Sequence, residues 1–92
     1  MGVANEEVLA SWGRTRGHLS RAWIELPHGE LSEFYQEFLD HNELGLAMEV
    51  LAEAGVERNA KRSFWLALAD AAKEMQRWED VQTYEGLAGS SG

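Results

Sequence analysis

The chain has 92 residues, one domain's worth, with 16 acids against eight bases and a formal charge of −8. A chain of this size buries only roughly 60–65% of its unfolded surface, enough for one compact core but hardly for a deep catalytic cleft. This balance excludes a cationic nucleic-acid surface, no apolar run approaches the ~20 residues of a membrane span, and the lack of cysteine excludes disulfides and thiolate chemistry.

The predicted class is all-α: a compact bundle of four to five short helices packed as consecutive antiparallel hairpins. Leu, Ala and Glu dominate, and no alternating apolar run suggests a strand. The start, Met1 to Glu7, has neither the basic residues nor the apolar stretch of a signal peptide, so a reducing cytoplasm is the expected compartment. The first helix should run from about Glu6 to Ile24, with Asn5 as N-cap and Glu6 and Glu7 favoured by the helix dipole. Val8, Trp12, Leu19, Ala22 and Trp23 recur at helical spacing as its apolar face. Gly13 and Gly17 each cost about 1 kcal/mol against Ala in a helix, or else admit the close approach of another helix.

After a break at Pro27-His28-Gly29, a second helix is expected from about Glu30 to Leu39. Leu31, Phe34, Tyr35 and Phe38 would face inward, and Glu30, Glu33, Glu37 and Asp40 would form an outward stripe. Asn42 is read as the cap of a third helix, about Glu43 to Ala54, with Leu44, Ala47, Met48 and Leu51 inward and Gly55 just past its end. Asn59 is read as the cap of a fourth, beginning near Ala60, with Phe64, Trp65, Leu68, Ala71, Ala72 and Met75 buried. Trp78, Val81, Tyr84 and Leu87 then mark a shorter fifth helix after a kink or turn. The domain should span 1–88, with 89–92 as a flexible tail. A shift of 34 residues lays Leu44 on Trp78, Ala47 on Val81 and Val50 on Tyr84. This is the period of a tetratricopeptide-type hairpin, and equally of two hairpins that merely share a length.

Little in the chain resembles reactive machinery. His18, His28 and His41 are scattered, and Glu37 with His41 makes only a two-residue match to a metal pattern. No serine stands in a strand–turn–helix elbow, and no glycine-rich phosphate cradle is present. No enzymatic activity, cofactor or metal is expected.

Charge is more informative. From Glu25 to Glu57 there are nine acids and no Lys or Arg, while all eight bases lie outside that span. Interleaved signs at i, i+4 would add a few tenths of a kcal/mol per pair, and this hairpin forgoes them. Two readings stand: a solvated face that confers solubility, or a negative docking surface for a basic protein. Arg58, Lys61 and Arg62 flank the fourth helix's start and are expected to reach carboxylates such as Glu53 or Glu57. The adjacent pairs Phe34-Tyr35 and Phe64-Trp65 point about 100° apart on a helix, so at least one member of each should be partly exposed. Exposed Tyr and Trp are what binding hot spots are made of.

The run Asp40-His41-Asn42-Glu43-Leu44-Gly45-Leu46-Ala47-Met48-Glu49-Val50-Leu51, with Phe64-Trp65 and then Ala71-Ala72-Lys73-Glu74-Met75, resembles small all-helical bacterial immunity proteins of the MafI and contact-dependent-inhibition type. The resemblance covers roughly residues 30–75 and implies a protein that blocks a toxin domain, often a nuclease, and has no catalytic residues. The expectation is an acidic module that binds a basic toxin or nuclease domain by occlusion. It would use Glu30, Glu33, Glu37, Asp40, Glu43 and Glu49 as the electrostatic face and Tyr35 as an anchor, without direct contact to nucleic acid or membrane. The alternatives are a helical scaffold that homodimerises through aromatics or the Gly13/Gly17 face, and a phage-type inhibitor that mimics nucleic acid.

Overall fold

A computed structural model describes residues 6–27 and 33–90 and shows five helices: α1 (Glu6–Glu25), α2 (Glu33–Asp40), α3 (Leu44–Glu57), α4 (Arg62–Glu74) and α5 (Trp78–Ser90). The fold is an all-α bundle with α4 at its centre. α4 packs most extensively against α1 and α5 and is crossed by α3, while α2 packs on α3. Early α1 meets late α4, so this pair is antiparallel: Arg14 Nε lies 2.7 Å from Glu74, Arg21 3.3 Å from Asp70, and Glu25 3.0 Å from Lys61. Ser11 and Ser63 add hydrogen bonds to Glu74 and Glu25 at the two ends.

The core is built from Leu19 and Ala22 of α1, Met48 and Leu51 of α3, and Phe64 and Leu68 of α4, all fully buried. Alanines at 67, 69, 71 and 72 keep α4 slim enough for neighbours on several sides. That geometry corrects the reading of Phe64-Trp65. Both rings are buried, in edge-to-face contact at 4.8 Å between centroids, because each of their directions meets another helix. Gly55 lies inside α3 rather than beyond it. A Cβ there would come within 2.9 Å of Phe64 Cζ and 3.0 Å of Trp65 Cη2, so glycine permits α3 to close on α4.

Three helices end in one way. Asn42, Asn59 and Gln76 have φ of 55°, 55° and 58°, and in each case the following N–H bonds to a carbonyl five residues back. The bonds are Glu43 N to Phe38 O at 2.7 Å, Ala60 N to Gly55 O at 2.9 Å and Arg77 N to Ala72 O at 2.9 Å. Asn42 and Asn59 therefore stop α2 and α3 and do not cap the helices after them. Among residues with a Cβ, asparagine tolerates the left-handed conformation best. α3 and α4 instead start at Glu43 and Lys61 without a side-chain cap. The turn at Gln76 separates α4 from α5, and α5 continues through Gly89 and Ser90, two residues into the segment expected to be a tail.

On α1 the buried face is narrower than expected. Thr15, Leu19 and Ala22 point inward, while Val8, Trp12 and Trp23 are exposed. Trp12 and Trp23 stand to one side of the line facing α4, and Val8 lies beyond the end of α4, which falls opposite Ser11 and Arg14. Trp78 is also exposed, at the first position of α5. Gly13 and Gly17 have open space in front of them, so none of the described helices uses their close approach.

Candidate functional site

The eight residues of α2 place Glu33, Glu37 and Asp40 on one side, three and four apart, and all three are exposed, as is Glu43 in the turn that follows. Among the described residues no Lys or Arg forms an ion pair with any of them. Among the described residues the Asp40 side chain accepts a hydrogen bond from Gln36 alone, at 2.9 Å. Arg16 reaches this end of α2, but it donates to the Leu39 carbonyl and, at 3.2 Å, to the Asn42 side-chain oxygen. Glu30 lies outside the described residues, as do His28 and Leu31.

Two of the expected residues need correction. Tyr35 is 8% exposed and turned into the core, so it offers no ring to a partner; Phe34, 57% exposed and stacked on Phe38 at 6.4 Å, takes the outward direction instead. The reading that one member of this pair faces out holds, but for the other residue. Glu49 is exposed but not free, since Arg77 Nη2 lies 3.0 Å from it while Arg77 Nε holds Asp80 at 2.7 Å. Lys61 reaches a carboxylate as expected, but that of Glu25, while Arg58 donates to the Pro27 carbonyl at 3.1 Å; among the described residues neither forms an ion pair with Glu53 or Glu57.

The rest of the ionic pattern explains why α2 keeps its charge. Arg14, Arg21, Lys61, Lys73 and Arg77 are each engaged by a carboxylate, mostly one on α1, α4 or α5. The hydrogen bonds from Arg14 hold the Glu74 carboxyl below the usual range, and those from Ser63 and Lys61 do the same for Glu25. His41 sits at the end of the α2 stripe. A hydrogen bond to the Glu37 carbonyl, then the charges of Glu43, Glu37 and Asp40, raise its pKa above the ordinary histidine value. Among the described residues no three His, Asp or Glu side chains converge as a metal site would require, and no helix is long and apolar enough to cross a membrane.

The arrangement sets three exposed carboxylates, without a Lys or Arg ion pair among the described residues, on one face of a short helix, beside an exposed phenyl ring. Comparison with family models, with curated proteins and with solved structures finds no match to this chain.

Proposed function

We propose that the protein is an acidic binding module that occludes a basic partner protein, the partner being a toxin domain of the nuclease kind. The reading is supported chiefly by Glu33, Glu37 and Asp40, exposed beside Phe34 without a cationic partner among the described residues, in a chain whose bases are mostly engaged elsewhere. Such a field speeds encounter with a basic surface and penalises wrong partners, while a central aromatic supplies short-range affinity. The resemblance to immunity proteins supplies the partner class. A nuclease domain encoded beside this gene should form a one-to-one complex that loses its catalytic activity. Its affinity should fall steeply between ~50 and ~500 mM salt, as the Debye length contracts. Absence of complex formation with any basic protein encoded at the same locus would remove the reading.

A second reading, self-association through α1, is favoured by a separate observation. Leu9, Trp12, Trp23 and Ile24 are exposed on α1, the glycines between them face open space, and no acid occurs from Val8 to Ile24. In a chain of charge −8 this is a face on which two copies meet without opposing carboxylates. Sedimentation from ~1 to ~500 μM distinguishes the two: a monomer throughout leaves self-association without support.

A further inference from the structure

A groove of about 550 Å³ runs between α3 and α5, with Trp65 of α4 at its base. It continues past Val56 and Leu87 into a second hollow of about 510 Å³ that ends near Asn59 and Ser90. Ala52, Val56 and Leu87 form its walls, and Glu49, Glu53 and Glu57 stand along the α3 edge. Arg77 neutralises Glu49, but Glu53 and Glu57 have no ion pair among the described residues.

Two polar groups of the lining residues have no hydrogen bond to a described residue. Tyr84 is 5% exposed and Trp65 2% exposed, and neither the hydroxyl nor the indole N–H hydrogen-bonds to a described residue. No side-chain N or O among the described residues is both sealed from solvent and unsatisfied, and both residues line the groove. Burial and the nearby Asp80 carboxylate push the Tyr84 pKa up to about 12, which keeps its hydroxyl protonated as a donor.

We propose that this groove is a binding site for a basic amphipathic helix of a partner protein, with its apolar face on Val56, Leu87 and Ala52 and its Lys or Arg side chains on Glu53 and Glu57. The match is chemical at each level. The methylene stems of Lys and Arg lie on apolar walls while their heads stay at a wet, acidic rim. Glu53 and Glu57 are one helical turn apart, the spacing of two cations at i, i+4 on the incoming helix. From Glu49 to Glu57 the groove follows about 12 Å of α3, a little over two turns of helix. Apolar anchors in a groove with charged edges are a recurrent mode of helix recognition. A second copy of this chain fits poorly, because its own cations are mostly engaged by its own carboxylates.

The site is distinct from the α2 stripe, so the two readings fail separately. The test is fluorescence anisotropy with a fluorescein-labelled 14-residue helix of leucine and lysine, lysines at i, i+4, against the full chain. Ala52→Trp, which fills the groove without changing charge, should weaken binding about tenfold, as should the pair Glu53→Gln and Glu57→Gln. Tyr84→Phe should leave a smaller loss, and Glu33→Lys with Glu37→Lys should stay within about twofold. Circular dichroism confirms that each variant is folded. No binding of the peptide by the unaltered chain, or equal binding by Ala52→Trp, overturns the proposal. So does spermine competing at its own concentration as well as the peptide does, since a free polyamine needs no apolar face.

Discussion

Asn59 and Gln76 occupy equivalent backbone positions 17 residues apart, each left-handed and each closing a helix through a bond from the next N–H to a carbonyl five residues back. Asn42 stands a further 17 residues before them, so the 34-residue regularity of the apolar pattern reappears as two turn intervals. Asparagine suits this conformation; glutamine does not, and a left-handed residue with an ordinary Cβ costs about 1–2 kcal/mol.

Gln76→Gly should therefore stabilise the fold by about 0.5–1 kcal/mol, the relief of strain exceeding the entropy that glycine adds to the unfolded chain. A thermal melt should show a rise of a few degrees. Asn59→Gly should give less, because asparagine already tolerates the site.

Gly55→Ala should destabilise by about 1–3 kcal/mol, since the added methyl meets Phe64 and Trp65, whose rings are fixed by the core. Phe64→Ala should cost about 3–5 kcal/mol, enough to unfold much of a domain this small. Urea titration measures both.

Protonation of His41 and of Glu74 should act in opposite directions on stability. The folded pKa of His41 is raised, so its contribution is full below the unfolded value of 6.5 and is lost as pH rises through the folded value. The folded pKa values of Glu74 and Glu25 are lowered, so theirs is present above the unfolded value of 4.5 and is lost as pH falls through the folded ones. Both groups lie near the surface, so the effects should be small and weakened by salt. An NMR titration of the His41 ring should give a midpoint above 6.5, and His41→Gln should remove the alkaline component alone.

Arginine 77 links α3 to α5 by holding Glu49 and Asp80 together. Arg77→Gln should destabilise by about 1 kcal/mol or less, as expected for a partly exposed network, and should release Glu49 to solvent. Denaturant unfolding at low and high salt should show that the loss shrinks as salt rises.

Where the amino-acid pattern was legible, it was so because burial repeats with the helix. Leu19 and Ala22, Leu44, Ala47, Met48 and Leu51, and Leu68, Ala71 and Ala72 all fall inside as their spacing predicts. Helix ends were harder: an Asn before an apolar run reads equally as the start of one helix or the stop of another, and only the backbone of Asn42 and Asn59 decides. Adjacent aromatics depend on how many neighbours a helix has. α4 is surrounded and buries both Phe64 and Trp65, whereas α2 lies against α3 and turns Phe34 out while Tyr35 goes in. The outward stripe of Glu33, Glu37 and Asp40 follows from spacing alone, but the loss of Glu49 to Arg77 is a contact across 28 positions that no local pattern reveals. The groove was missed because Val56 lies outside the apolar stripe of α3, and its meaning depends on what α5 places opposite.

The central claim, that the α2 carboxylates form the docking face, is tested most directly by a charge-matched comparison. Affinity for the basic nuclease partner is measured for Glu33→Lys with Glu37→Lys, and for Glu6→Lys with Glu79→Lys, which change net charge by the same amount elsewhere on the surface. The account predicts a loss of at least about tenfold for the first pair and less than about threefold for the second. Equal losses for both would mean that net charge alone governs binding and that α2 has no special part in it.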